Sequence, residues 1–470
     1  MRECLRQGRH RRLLEWIACI PPGVAADSPT IQYAEGSAVA IDDPLRALAS
    51  ISMAHRGYLQ IRDVAGGARC ACAMIEIIFH ATADHGAMLP WIDELARILE
   101  NGFQTTDSDL TLRCHASMLI ARLFARPDRQ LEHSATAVLA MLPVAASTRQ
   151  RLLATVYLTI YATFAGRFDL TPALEAQGDH LAGQAQVTAY DRAHWHLWKA
   201  CMLRLAETLR RRCRFGGKAD AIAAAEGFGQ IAFLAAYFAS GAEASRGRLE
   251  AAAALEARAE ASVDSSKPLQ VALLSACSAW LAMYRQDGWQ ARRCGERAMS
   301  VARTLSAPSY RIHYGIPFVY GLAETGALNE ARGAGGTATC DRRHRADVFR
   351  SLLLAVEARI EELDGNVDRS IVLVRAMWRC AESTGHGDYL HWVKPWVVRC
   401  RSRATGRRGD HVCRQADPPP RLAGRTGLFG MLAVAGQIHA LGRFTLRVGG
   451  EVPRHGRKAP RRPPGTLCVC

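Results

Sequence analysis

An all-α chain built as an α-solenoid of antiparallel helix pairs is the fold class that the sequence predicts, and three observations predict it. Alanine and leucine dominate while aromatic residues are sparse, at 7%, a profile of stacked helices more than of sheets. Apolar residues recur at steps of three and four through most of the chain. The breaks between the apolar stretches return at nearly constant intervals. A chain of 470 residues also exceeds the roughly 250–300 residues that one compact core usually holds, as expected of an elongated array.

The periodicity is clearest near the end of the helical region. Phe349, Leu352, Leu353, Val356, Ile360 and Leu363 mark one face of a helix, a turn follows at Asp364-Gly365-Asn366, and Ile371, Val374, Met377, Trp378 and Ala381 mark the next. Two amphipathic helices across a tight turn make a helical hairpin. The same unit is broken at Gln286-Asp287-Gly288 and at Gly326, so that Gly288, Gly326 and Gly365 lie 38 and 39 residues apart. Earlier turns of this character are Gly8-Arg9, Asp42-Asp43-Pro44, Arg62-Asp63 and Gly166-Arg167-Phe168-Asp169. A period of about 34–47 residues is that of stacked helix pairs, and the degenerate repeat is best described as tetratricopeptide-like.

Three stretches depart from the pattern. Residues 332–347 are small and basic and are expected to replace a helix end; residues 211–218 form a shorter interruption. Residues 399–436, with Pro418-Pro419-Pro420, read as a disordered basic linker. The domain organisation that follows is a helical repeat domain over 1–398, the linker over 399–436, and a distinct segment over 437–470.

Charge singles out that last part of the chain. From Arg399 onward there are 15 basic and 3 acidic residues, a net +12 of the total +16, which leaves +4 for residues 1–398. A local positive field attracts nucleic acid or an anionic surface, whereas the alternative is a solvated basic tail. Within 437–470, Ile438, Ala440, Phe444, Leu446 and Val448 give an alternation with a turn expected at Gly449-Gly450, a short β-hairpin. Two strands and a turn do not read bases, because major-groove readout needs a recognition element on a folded scaffold. Phosphate contact through Arg443, Arg447, Arg454, Arg457, Lys458, Arg461 and Arg462 is then sequence-blind and salt-dependent.

Chemistry-bearing motifs are few. Gly216-Gly217-Lys218 lacks the upstream glycine spacing and the following Ser/Thr of a phosphate-binding loop. No CxxC, HExxH, acidic calcium loop or nucleophile elbow occurs, so neither enzymatic activity nor a metal or cofactor is expected. The 15 cysteines are scattered singly, and neither the basic start of the chain nor any later stretch has the apolar run of a leader or a membrane span; the reading is a reduced, cytoplasmic protein without membrane contact. The densest aromatic cluster is His194-Trp195-His196-Leu197-Trp198. On a helix His194 and Trp198 share one face, and Trp195 and Lys199 another. Core and rim packing is the bland account of His194, Trp195, His196 and Trp198; a ligand or partner groove is the functional one. Trp378, Trp392 and Trp396 invite the same two accounts.

The segments Gly8-Arg9, Leu14-Glu15-Trp16-Ile17, Ile20-Pro21, Pro29, Gly36, Asp43-Pro44 and Pro90-Trp91-Ile92 resemble the repeat region of large MalT-like bacterial regulators. Leu441-Gly442-Arg443-Phe444, Gly450 and Arg457-Lys458-Ala459 with Arg461-Arg462 are similar to the first part of the OmpR-like winged helix that accompanies bacterial transcriptional activator domains of the SARP type. The resemblance implies a sensor array for a protein or small-molecule inducer, possible self-association, and DNA binding in intact relatives. It also implies that this sequence is a truncated or frameshifted copy, with the ATPase missing and DNA binding lost or weak. A free-standing helical-repeat adaptor for protein partners is the alternative.

Overall fold

The computed structural model describes residues 4, 9–81, 84–100, 107–206, 217–305, 308–340, 347–384, 436–439 and 445–448. Up to residue 384 these are almost entirely α-helical, in the order α1 (His10–Ala18), α2 (Pro22–Asp27), α3 (Pro29–Val39), α4 (Pro44–Gln60), α5 (Val64–His80), α6 (Leu89–Glu100), α7 (Ser108–Phe124), α8 (Leu131–Met141), α9 (Thr148–Ala165) and α10 (Thr171–Ala182). There follow α11 (Ala189–Ala206), α12 (Gly217–Glu226), α13 (Gly229–Ser245), α14 (Leu249–Ser262), α15 (Pro268–Tyr284), α16 (Gly288–Thr304), α17 (Pro308–Glu324), α18 (Leu328–Cys340), α19 (Asp347–Leu363) and α20 (Val367–Thr384). The helices fall within one compact unit; the remaining described residues, 436–439 and 445–448, belong to a second.

One turn is used again and again between these helices. Arg62, Gly166, Gly227, Gly247, Gln286, Gly326 and Gly365 all have positive φ. In each case the N–H of the next residue reaches back to the carbonyl five positions earlier: Asp63 to Tyr58, Arg248 to Glu243, Asp287 to Ala282, Ala327 to Leu322 and Asn366 to Glu361 are examples. That bond closes the preceding helix in the left-handed manner for which glycine is best suited. After two of these turns an aspartate caps the helix that follows, the Asp63 and Asp287 side chains accepting from the N–H groups of Gly66 and Gln290, and Asp43 and Asp107 cap other helices in the same way through Arg46 and Leu110. A turn closed at both ends fixes two helices side by side.

Packing beyond the turns is regular from α13 onward. Each of α13, α15, α17 and α19 packs on the helix that follows it, and α13, α15 and α17 each pack also on the next of the set. The sequence shows why. Helix α15 carries no charged residue and α13 only Glu243, whereas α16 carries Arg292, Arg293, Glu296, Arg297 and Arg303. A helix that is apolar all round belongs between two layers, and a helix with one charged face belongs outside. Close approach is bought with small residues, since a Cβ on Gly321 of α17 would stand 2.3 Å from the backbone N of Arg292 on α16.

One expectation is corrected. Residues 332–340, expected to interrupt a helix, continue α18 as far as Cys340. Ala331 is fully buried and Arg332 bonds to Asp364, so tertiary contacts override the weak helix propensity of Gly333, Gly335 and Gly336. In the second unit β1 (Gly436–His439) and β2 (Thr445–Val448) are antiparallel, with Gly436 opposite Val448 and His439 opposite Thr445. The turn expected at Gly449-Gly450 lies outside the described residues, as do 341–346, 385–435, 440–444 and the rest of 449–470.

Candidate ligand chamber

Helix α11 places Tyr190, His194 and Trp198 four residues apart, hence on one stripe, and that stripe forms part of the wall of a cavity. The rest of the wall comes from the same position in the layering: Phe79 and His80 from α5, Phe164 from α9, Tyr237 and Phe238 from α13, Trp280 and Tyr284 from α15, Tyr310 and His313 from α17, Phe349 from α19. Helices α14, α16, α18 and α20 contribute nothing to it. The first helix of each pair thus lines the interior, and the second shields it.

The cavity holds about 110 Å³ of free space and opens to solvent. Rings meet edge to face or tilted along the wall, as His80 and His194 do at 4.7 Å and Trp198 and Phe238 at 5.4 Å. Near-parallel pairs also occur, with Trp280 and His313 at 5.2 Å. Offset and edge-on contacts of this kind are the favourable ones for π systems. Contacts remote in sequence complete the enclosure: Tyr310 stacks on Phe124 at 5.5 Å, and Phe349 lies 6.4 Å from Phe164.

Among the described residues no Asp, Glu, Lys or Arg lines the chamber. Its histidines are held neutral where burial removes them from water: His80 is pushed down to about 4 and His194 well below the usual imidazole range, both chiefly by desolvation. His80 Nε2 and the Tyr157 hydroxyl lie 3.2 Å apart. Trp198 donates its indole N–H to His194 Nε2 at 3.0 Å, and the Tyr237 hydroxyl and His313 Nε2 lie 2.8 Å apart. The indole N–H of Trp280, in a residue only 7% exposed, has no hydrogen-bond partner.

A second, open cleft adjoins the chamber and shares His80, Tyr190, Gln230 and Ile231 with it. Its character is opposite. Arg113 grips Glu76 with two hydrogen bonds of 2.8 and 2.7 Å and donates a third to the Tyr33 hydroxyl, while Ser117 also donates to Glu76. Arg149 pairs with Asp191 at 2.8 Å and Arg69 with Asp107 at 3.2 Å. The charges of this cleft largely neutralise one another.

The four residues singled out in the cluster from His194 to Trp198 have different surroundings. His194 and Trp198 face the chamber. Trp195 is fully buried on the opposite side, donating its indole N–H to Asp179 of α10 at 3.0 Å, and Lys199 bonds the same carboxylate beside it. His196 is half-buried, its pKa lowered by desolvation and by Lys218, and does not line the cavity. Trp378 lies in α20, outside the chamber wall, and Trp392 and Trp396 lie outside the described residues. Of the basic residues proposed for phosphate contact, Arg447 falls in β2 opposite Gln437; Arg443, Arg454, Arg457, Lys458, Arg461 and Arg462 lie outside the described residues.

Sequence reasoning missed Tyr237, Phe238, Trp280, Tyr310, His313 and Phe349 as wall residues. The available signal was that a chain with few aromatics concentrates them on the more apolar helix of each pair. Among the described residues no group of three His, Cys, Asp or Glu side chains is placed to hold a metal ion, and no helix is long and apolar enough to cross a membrane. Neither a scan against protein-family models nor a comparison with curated protein sequences gives a match.

Proposed function

We propose that this chain is the sensor region of a bacterial transcriptional regulator, a tetratricopeptide-like α-solenoid whose interior receives an inducer. The observation that supports the reading most is the chamber, lined by the first helix of each pair from α13 to α19, with no charged side chain among its described lining residues. A structural core would close such a space, because voids forfeit dispersion contacts on every wall atom. The regulator part of the reading rests on the resemblance to MalT-like and SARP-type proteins and on the net +12 beyond residue 398. In it, residues 437–470 correspond to the first part of an OmpR-like winged helix, and the protein works in the cytoplasm without enzymatic activity.

DNA contact is then phosphate-directed. The test is an electrophoretic shift of the full chain on duplexes of unrelated sequence. Binding near 50 mM salt that is lost near 200 mM, without sequence preference, is expected from counterion release. No shift at low salt would favour the helical-repeat adaptor, for which the open polar cleft along Arg69, Glu76, Arg113 and Arg149 offers a peptide-sized surface. Sequence preference surviving above physiological salt would show a complete reader and contradict phosphate-only contact.

A further inference from the structure

We propose that the chamber binds an uncharged, planar aromatic small molecule carrying a hydrogen-bond acceptor, and that Trp280 is the donor that recognises it. This rests on the sensor reading above and supplies the class of its inducer.

Charge comes first. A charged ligand entering a wall whose described residues include no Asp, Glu, Lys or Arg would leave its hydration behind and meet no counter-charge there. The two imidazoles His80 and His194 do not supply one, since burial holds both neutral. The polar cleft next door does not supply one either, because Arg113 and Arg149 are committed to Glu76 and Asp191.

Shape comes second. The described lining is largely aromatic, with Phe79, Phe164, Trp198, Phe238, Trp280 and Phe349 among it, a surface that suits a small flat ring system and not a helical peptide, whose diameter with side chains is about 10–12 Å. A protein or peptide partner would be confined to the cleft.

The hydrogen bond decides the third element. The wall contains two indoles. Trp198 spends its N–H on His194, whereas Trp280 Nε1 is buried without an acceptor. Its ring is braced by His313, stacked at 5.2 Å, and His313 Nε2 is engaged by the Tyr237 hydroxyl. A buried donor left unpaired is unfavourable, and an acceptor on the ligand relieves it. Trp280 lines the chamber and its N–H is closed to solvent, so a ligand acceptor reaches it only as the ring or its neighbours shift, and a ring ketone that does so is distinguished from the bare hydrocarbon of the same outline.

A matched set of probes tests this on the full chain: fluorene, 9-fluorenone and 9-fluorenone-2-carboxylate, competed against the fluorescence of N-phenyl-1-naphthylamine. Saturable binding is expected, with fluorenone about three- to tenfold tighter than fluorene and the carboxylate at least about tenfold weaker than fluorenone. In Trp280→Phe the ratio of fluorenone to fluorene affinity should fall to about one, whatever change the smaller ring makes to the affinity for both. Where that variant fails to fold, the ordering of the three probes on the unmodified chain decides alone. Fluorene binding as tightly as fluorenone, an advantage that persists in Trp280→Phe, a carboxylate as tight as the neutral ketone, or no saturable binding of either neutral probe would each overturn the proposal. It fails separately from the regulator reading: a chain that shifts DNA but ignores fluorenone has a different inducer, and one that binds fluorenone without shifting DNA is not the regulator proposed.

Discussion

Trp198 donates its indole N–H to Nε2 of His194, one helical turn back, at 3.0 Å inside a wall with no charged side chain among its described residues. An imidazole that accepts on Nε2 carries its proton on Nδ1, so the bond fixes both the tautomer and the neutrality of His194.

Neutral buried histidines make the fold acid-sensitive. His80 and His85 are held at about 4 and His194 well below its ordinary value, chiefly by desolvation. The unfolded chain takes up these protons near pH 6.5 and the folded chain does not, so stability is complete above about 6.5 and falls as pH drops towards 4. For His80 and His85 the gap corresponds to on the order of 3 kcal/mol each. Urea unfolding across pH 7 to 4 should show this loss. His85 has no hydrogen-bond partner on either ring nitrogen, so His85→Leu should cost little at pH 7 and should flatten the acid slope.

Arg113 and Glu76 form a half-sealed pair with side chains 14% and 15% exposed. Arg113→Met strands the carboxylate and is expected to destabilise by about 3–5 kcal/mol, whereas the double replacement with Glu76→Met should recover much of that loss. A double-mutant cycle on unfolding free energies measures the difference.

Glycines in the outer pairs separate by position. Gly321→Ala places a Cβ 2.3 Å from the Arg292 backbone, and Gly295→Ala one 2.7 Å from Phe318 Cα. Each should lose about 1–3 kcal/mol by forcing α16 and α17 apart. Gly333→Ala meets nothing within 4 Å and should gain about 0.5–1 kcal/mol from helix propensity. Thermal unfolding of the three variants should rank them in that order.

Thiol chemistry should follow burial. Cys19 is exposed, whereas Cys70, Cys72, Cys114 and Cys277 are buried, with Cys70 and Cys277 pushed up to about 12 by desolvation. Peptide mapping after brief labelling with an aromatic disulfide reagent should find Cys19 modified and these four intact until denaturant is added. Early modification of Cys72 or Cys114, whose sulfurs lie 3.7 Å apart, would show that α5 and α7 open readily.

The helical character was legible because local rules carry it. Gly326 and Gly365 announce left-handed turns, and the apolar spacing from Phe349 to Leu363 and from Ile371 to Ala381 matches α19 and α20. Glycine content misled at 332–340, where burial of Ala331 and the Arg332 contact outweigh propensity. Helical spacing separated His194 and Trp198 from Trp195 and Lys199, as the α11 contacts with α10 and the chamber do. It did not reveal the chamber, because Trp280, Tyr310 and Phe349 each look like ordinary core residues on their own helix. Only the superposition of successive pairs brings them to one space, and that information is not in any single window.

The contact between Phe124 and Tyr310 has a kinetic meaning. Helix pairs closed by a five-residue-back turn involve only near neighbours in the chain and can form early and independently. Tyr310 must cross most of the array to reach Phe124, and the loop-closure entropy of that step is spent only once the intervening pairs exist. On refolding, the chamber's ligand binding is therefore expected to return no earlier than the far-ultraviolet circular dichroism of the helices.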